Sequence, residues 1–441
     1  MVLLWCFPAY ENNGDSGAFV TTVLIPIFFT PSFFFFEKEN NYQSYMSTST
    51  VSQAGNITTF PPLVDCHVHF REPGLEAKAD MVSESEAAFF GGIGAVCDMP
   101  NTNPPTQTVA TFADKVERSK RCSDKCLLYF FFGATKDEHL KELEQLWCDP
   151  QHAALKSHCS GLKLYLDNST GDLKSSKSVT ESAFELCGRL RIPLVAHCEQ
   201  SDINNKASEE TPYTDVSTHS VRRPAESEVS SIAEAVEMGL KYNTPLHIAH
   251  LSTEGGLNIV RETRRQHPNF HLTCEVAPHH LFLTTEDYTC CGARVKVNPP
   301  VRPKKHHEAL WAGVLDGTVD CIGTDHAPHL LSEKDNKENP PSGMPAIEVV
   351  VPLLLSVVAG RWPHPTAPCP AALKDAAKKL TLNRIAELMH TNPVKIFGLR
   401  VDGLKSRQFD LSREWEVVEQ ELHSKCKWSP YNGWKLLGKA V

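Results

Sequence analysis

The stretch LVDCHVHFREPG, Leu63 to Gly74, places two histidines one residue apart in an apolar run, just ahead of an arginine and a Pro-Gly turn. Alternate residues of a strand face opposite ways. A regular strand here puts Asp65, His67 and His69 on one face and Cys66, Val68 and Phe70 on the other. Seven more apolar runs of strand length follow: AVCDMP (95–100), CLLYFFFG (126–133), GLKLYL (161–166), PLVAHC (193–198), PLHIAH (245–250), HLTCEVAP (271–278) and VDCIGTD (319–325). Between them lie stretches such as VTESAFELCGRL and SEVSSIAEAVEMGL, with apolar residues at helical spacing. Strand–helix alternation implies parallel strands with right-handed crossovers, and eight such units predict an α/β fold, a (β/α)8 TIM-like barrel. Polar residues at the strand ends would then meet at one mouth. His67 and His69 lie in the first strand, and His197, His250, Glu275 and Asp325 fall at later strand ends.

Two inward imidazoles at this spacing can hold one metal ion, since neutral imidazole is a good zinc ligand. Taken alone, the pair reads equally well as two hydrogen-bonded core histidines. In GLKLYL the leucines suit the helix-covered outside, so Lys163 and Tyr165 point inward. A bare inward ammonium is costly. It is either paired with a carboxylate, or its pKa falls and it reacts with CO2 to give a carbamate able to bridge two metal ions. Together the strand ends supply four histidines, one lysine and one aspartate from five strands, enough for two metal sites. His247, His279 and His280 read as structural or as holding neighbours through ring N–H groups, and Glu275 as a residue that could orient them. The cysteines within the strands read as small core residues.

At 441 residues the chain fits one large domain plus a smaller piece. Its net charge of −9, without a basic stripe, argues against general nucleic-acid binding. An anionic substrate would need a local cluster of positive groups. Fifteen cysteines without paired CxxC spacing suit reduced thiols in a cytoplasmic protein. Ala18 to Phe36 carries no charge but is interrupted by Pro26 and Pro31, and no basic residue precedes Glu11. Residues 1–45 therefore read as an extension outside the fold, with an anchoring helix as the alternative. The barrel is assigned to 46–400. The tail 401–441, with QFDLSREWEVVEQ in short strand character, is assigned to a small β appendage.

HVHFREPG, DMPNT (98–102), GLKLYL, AHCE (196–199), CEVAPHHLFL (274–283), NPPVR (298–302) and GTDHAPH (323–329) together resemble the dihydroorotase family of the amidohydrolase superfamily. The resemblance runs from Leu63 to about Leu399. It implies two zinc ions, one held by His67, His69 and Asp325 and the other by His197 and His250, bridged by carboxylated Lys163. It assigns Arg71, Asn101 and His329 to the substrate carboxylate, Asn298 to the pocket that holds the ring and Arg302 to an assisting role. It further implies reversible cyclisation of N-carbamoyl-L-aspartate to L-dihydroorotate, the third step of pyrimidine biosynthesis, with Asp325 moving the proton. The expected partner is the small-molecule substrate, without nucleic acid or membrane, and with room for a homodimer. The polar segment 167–173 is either a loop that closes over substrate or a plain surface connection.

The family's larger N-terminal β segment is not evident, so the appendage reads as reduced. No other catalytic domain is visible, as expected for a stand-alone enzyme. Two rivals remain: a sister cyclic amidohydrolase, such as an allantoinase or hydantoinase, and a catalytically dead scaffold. Such scaffolds lose metal ligands, whereas all six positions are filled here.

Overall fold

The computed structural model describes residues 50–167, 173–375, 377 and 379–441. The extension 1–45 and residues 168–172 of the polar segment lie outside the described residues. The described chain opens with a hairpin, β1 (Ser52–Ala54) and β2 (Ile57–Phe60). Eight parallel strands follow: β3 (Leu63–Val68), β4 (Ile93–Asp98), β5 (Leu127–Gly133), β6 (Cys159–Tyr165), β7 (Leu194–His197), β8 (Leu246–Ile248), β9 (Leu272–Val276) and β10 (Cys321–Ile322). They neighbour one another in sequence order from β3 to β10. A parallel bridge from Val68 to His326, with the His69 N–H donating to the His326 carbonyl at 2.8 Å, brings the last stave against the first. This is the (β/α)8 barrel that the alternation predicts.

A long helix follows each stave: α1 (Met81–Phe90), α2 (Val109–Ser119), α3 (Asp137–Cys148), α4 (Lys177–Leu190), α5 (Ala225–Tyr242), α6 (Glu254–Gln266), α7 (Lys304–Asp316) and α8 (Val350–Val358). Local chemistry sets several of their ends. Asp80, Thr108 and Thr253 cap α1, α2 and α6 by accepting from backbone N–H groups in the first turn. Asn243 and Gly317 end α5 and α7 in the left-handed conformation.

The strands carry two apolar layers. Phe130, Phe132, Leu162, Leu164, Leu194 and Ile248 pack outward against the helices. Val64, Ala95, Cys97, Tyr129, Phe131 and Val195 fill the interior, joined by Phe397 and Leu399 from the C-terminal region. That plug leaves only the upper ends of the staves for polar groups.

The first stave departs from regular alternation. Its pairing with β4 shifts between Asp65 and Val68. As a result Cys66 lies with Val64 in the interior, while Val68 and Phe70 lie in the outer layer. Asp65, expected beside the two histidines, instead accepts from the Thr324 N–H at 2.9 Å and the His67 N–H at 3.2 Å. An irregularity of this kind re-aims side chains, and here it brings His67 to the mouth although Cys66 already points inward.

The appendage draws on both ends of the described chain. β2 pairs with β11 (Arg407–Glu416), which pairs with β12 (Lys435–Ala440), giving an antiparallel sheet ordered β1-β2-β11-β12. Segment 52–60 thus joins the tail's sheet, rather than serving only as a lead into the barrel. Phe409 of β11 meets Phe60 edge to face at 5.8 Å between centroids. It also lies over Gly92, where a Cβ would sit 2.2 Å from its ring and the backbone has φ +80°. Only glycine meets both demands. Among the described residues, no helix is long and apolar enough to cross a membrane.

Candidate active site

A cavity opens at the C-terminal ends of the staves. All six proposed metal ligands line it, together with Arg71, Asn101 and Asn298. One donor atom from each of His67, His69 and Asp325 lies within 4.8 Å of the others. His69 Nε2 is 2.9 Å and His67 Nε2 3.5 Å from Asp325 Oδ1.

The ring nitrogens facing away are already engaged. His67 Nδ1 meets Glu275 Oε1, and His69 Nδ1 meets Asn101 Oδ1 at 2.6 Å. With each Nδ1–H donated to an acceptor, each Nε2 turns a lone pair toward the aspartate oxygen. Burial pushes the His69 imidazole down to about 4, so it is neutral near pH 7. Three converging acceptors repel one another unless a cation lies among them, so this donor set fits a metal ion.

The second group lies on β7 and just beyond β8. His197 Nε2 donates to Glu199 Oε2 at 2.9 Å, and its Nδ1 faces His250 Nε2 at 3.0 Å. The buried Nδ1 of His250 has no hydrogen-bond partner. Burial lowers the pKa of both rings, and His197 depresses His250 further. Lys163 projects into the same cavity from β6. It is 1% exposed, and its Nζ has no hydrogen-bond partner. Burial pushes this ammonium down to about 8. Of the two readings of this lysine, pairing with a carboxylate is not what the described residues show.

Glu275 is the hub that the sequence left open. Besides His67, it accepts from His247 Nε2 at 3.1 Å, Cys66 Sγ at 3.2 Å and the His250 N–H at 3.1 Å. It thereby fixes one histidine of each group, and His247 supports it, as the sequence reading suggested.

The anion-binding candidates separate. Arg71 is buried, has φ +68°, and is braced by Nε donating to the Pro328 carbonyl at 3.0 Å. Asn101 reaches the cavity with its amide nitrogen lacking a hydrogen-bond partner. Asn298 Oδ1 accepts from His219 Nε2 at 3.0 Å and from Ser342 Oγ at 3.1 Å. His329 does not line the cavity. It stands behind Arg71, its Nε2 3.0 Å from the guanidinium and 3.1 Å from the Ser342 carbonyl. Arg302 is likewise absent from the lining, because it turns to Ser252 Oγ at 3.1 Å and to the Arg223 carbonyl at 2.5 Å. Both stand just behind the lining, His329 against Arg71 and Arg302 against Ser252.

Two supporting devices escaped the sequence reading. Arg223 joins Glu199, 2.6 Å away, to Asp167, 3.0 Å away, and so links His197 to the end of the fourth stave, β6. The signal was Glu199 two residues beyond His197, on the same face. The second is Lys334, 1% exposed, whose ammonium donates to the carbonyls of Lys296 at 3.2 Å, Pro341 at 2.9 Å and Gly343 at 2.9 Å. Ser342 and Gly343 line the cavity, so this cage shapes its wall. Lys334 also lies in the field of Lys296 and Arg71. Arg71 is the guanidinium that the cavity lining itself offers an anionic substrate. Lys334→Met should leave three carbonyls without this donor, lower stability by about 3 kcal/mol and raise the KM. Urea unfolding alongside steady-state kinetics measures both; an unchanged KM would detach the cage from the pocket.

Comparison with known proteins agrees with this geometry. Residues 58–404 match the model of the amidohydrolase family. The chain is 32% identical over 403 residues to a dihydroorotase of Methanosarcina mazei, covering 88% of this chain and 82% of that one. It is also 32% identical to a dihydroorotase of a Geobacter species, covering 88% and 86%. Against the multifunctional protein CAD of Squalus acanthias it is 31% identical over 87% of this chain, which spans 14% of that protein. Among solved structures, an L-hydantoinase (dihydropyrimidinase) of Arthrobacter aurescens superimposes with a TM-score of 0.75 at 23% identity, covering 87% of this chain and 83% of that one, which supports the fold. A matched family model, dihydroorotase relatives covered over more than four-fifths of their length and a polar stave-end cavity converge on one conclusion: the chain belongs to the amidohydrolase family and, within it, to the dihydroorotases.

Proposed function

We propose that the chain interconverts N-carbamoyl-L-aspartate and L-dihydroorotate, using two zinc ions bridged by carboxylated Lys163. The observation that carries this reading is the Lys163 amine, buried without a hydrogen-bond partner in the cavity that holds both ligand groups. Its lowered pKa makes the neutral amine, the form that adds CO2, accessible near neutral pH. His67, His69 and Asp325 would hold one ion and His197 and His250 the other. The bound ions would supply an activated water and polarise the amide carbonyl.

The chain's own groups do the rest. Arg71 offers a planar fork to the substrate carboxylate, and Asn101 adds the amide N–H left without a partner. Asn298, fixed by His219 and Ser342, would line the ring's side of the cavity. In ring opening, Asp325 takes a proton from the attacking water and passes it to the departing ring nitrogen. In ring closure the same carboxyl, protonated, helps water leave. Ring closure consumes a proton, because a substrate carboxylate becomes an amide carbonyl, so lower pH favours dihydroorotate.

Arg71→Met should raise the KM about 10- to 100-fold while zinc content stays unchanged. Kinetics and elemental analysis of one preparation test this, and a loss of zinc would contradict the division of roles. The test of the whole reading is dihydroorotate hydrolysis and metal content on the purified full chain. About two zinc ions per chain with turnover is expected. Turnover of hydantoin or allantoin but not dihydroorotate would replace the assignment with a sister activity. Less than about one zinc per chain without turnover would favour the scaffold.

A further inference from the structure

Cys290 and Cys291 are adjacent in sequence and end the short helix Tyr288–Cys291. Their sulfurs lie 3.0 Å apart. Cys290 is exposed and Cys291 half-buried, whereas most described cysteines are buried. The other thiol contact, between Cys66 and Cys321, lies wholly inside the barrel. Cys148 is exposed as well, but among the described residues it makes no sulfur contact. Next to the pair, Gly292 has φ +55°, and a Cβ built on it would meet nothing within 4 Å. The surface beside the two thiols is therefore open to an incoming molecule. Neither residue takes part in the cavity chemistry described above.

We propose that Cys290 and Cys291 form a vicinal dithiol site that small-molecule disulfides close reversibly to an intramolecular disulfide. The Cys290 thiolate attacks one sulfur of the reagent, forming a mixed disulfide and releasing one thiolate. Cys291 then loses its proton to solvent and attacks the Cys290 sulfur. The Cys290–Cys291 bond forms, and the second reagent thiolate leaves and is protonated. Two protein thiols are oxidised, and one reagent disulfide is reduced to two thiols.

Geometry favours this order. Cys290 is the more accessible sulfur, and thiol–disulfide exchange depends on access to the attacking sulfur. Burial raises the pKa of Cys291, and its contact with Cys290 raises it further, which suits the second, intramolecular role, where proximity replaces intrinsic reactivity. Neighbouring Cα atoms across a trans peptide lie about 3.8 Å apart, closer than the usual span between bridged cysteines. A ring closed over that distance is strained and easily reduced, as a labile disulfide is rather than a structural one.

The test uses the full chain incubated with oxidised glutathione, then alkylated and mapped by mass. The peptide containing both residues should be lighter by two hydrogens, unalkylated at both positions and restored by dithiothreitol. Cys291→Ser should instead retain a glutathione adduct on Cys290. Alkylation of both cysteines in the treated wild-type chain, or stable glutathione adducts in place of the ring, would overturn the proposal. Both outcomes are read on the unmutated protein and do not depend on turnover.

Discussion

Lys163→Ala is expected to abolish dihydroorotate turnover, a loss of at least about 10³-fold, and to release bound zinc. On the proposed reading, the truncation removes the group that would bridge the His67–His69–Asp325 cluster and the His197–His250 pair, both of which line the cavity that Lys163 enters. It leaves space where the side chain lay, and a short carboxylate such as acetate or propionate can occupy it. Partial recovery of turnover and zinc with such acids is therefore expected. Thermal melting separates this loss from unfolding, because Lys163 makes no hydrogen bond whose removal would loosen the barrel. Undiminished turnover in the alanine variant would leave the lysine as a packed core residue and remove the bridge from the mechanism.

Asp325→Asn is the second large effect, a fall in kcat of about 10² to 10⁴ with a smaller change in KM. Asparagine keeps an oxygen near His69 Nε2, which lies 2.9 Å from the aspartate, but cannot accept the proton from the attacking water. The native carboxylate lines the cavity beside the other five ligand residues, where it can take that proton. Full kinetics on the asparagine variant with zinc content measured in parallel separate proton transfer from ligation. A kcat within tenfold of the unmutated chain would reassign the proton to another group.

The sequence offers segment 167–173 either as a loop that closes over substrate or as a plain surface connection, and it points to residues 1–45 outside the fold, a cytoplasmic location and room for a homodimer. Each has a direct solution test: limited proteolysis with and without substrate, fractionation of cells expressing the chain with and without residues 1–45, and sedimentation.

The staves, the inward lysine and the donor types were legible in sequence because they rest on local rules. Leu162 and Leu164 pack outward and Lys163 inward for the reason their alternation gives: the helix layer covers one face of the stave, and the cavity meets the other. The same rule misplaced Asp65 and Cys66, because a register shift against β4 is a property of two strands together. The hub at Glu275 was only half visible, since its partners His67, His247 and His250 come from other staves. His329 and Arg302 carried the right chemistry for a carboxylate, yet their direction depends on what surrounds them, Arg71 and Ser342 for one and Ser252 for the other. Segment 52–60 lacks a strong strand signal of its own and becomes sheet by pairing with β11, about 350 residues away along the chain. Sequence by itself determined which side chains could do the chemistry and the period that aims most of them. Only the tertiary structure decided which meet, because long-range register and the partners that saturate each polar atom are set when the barrel closes.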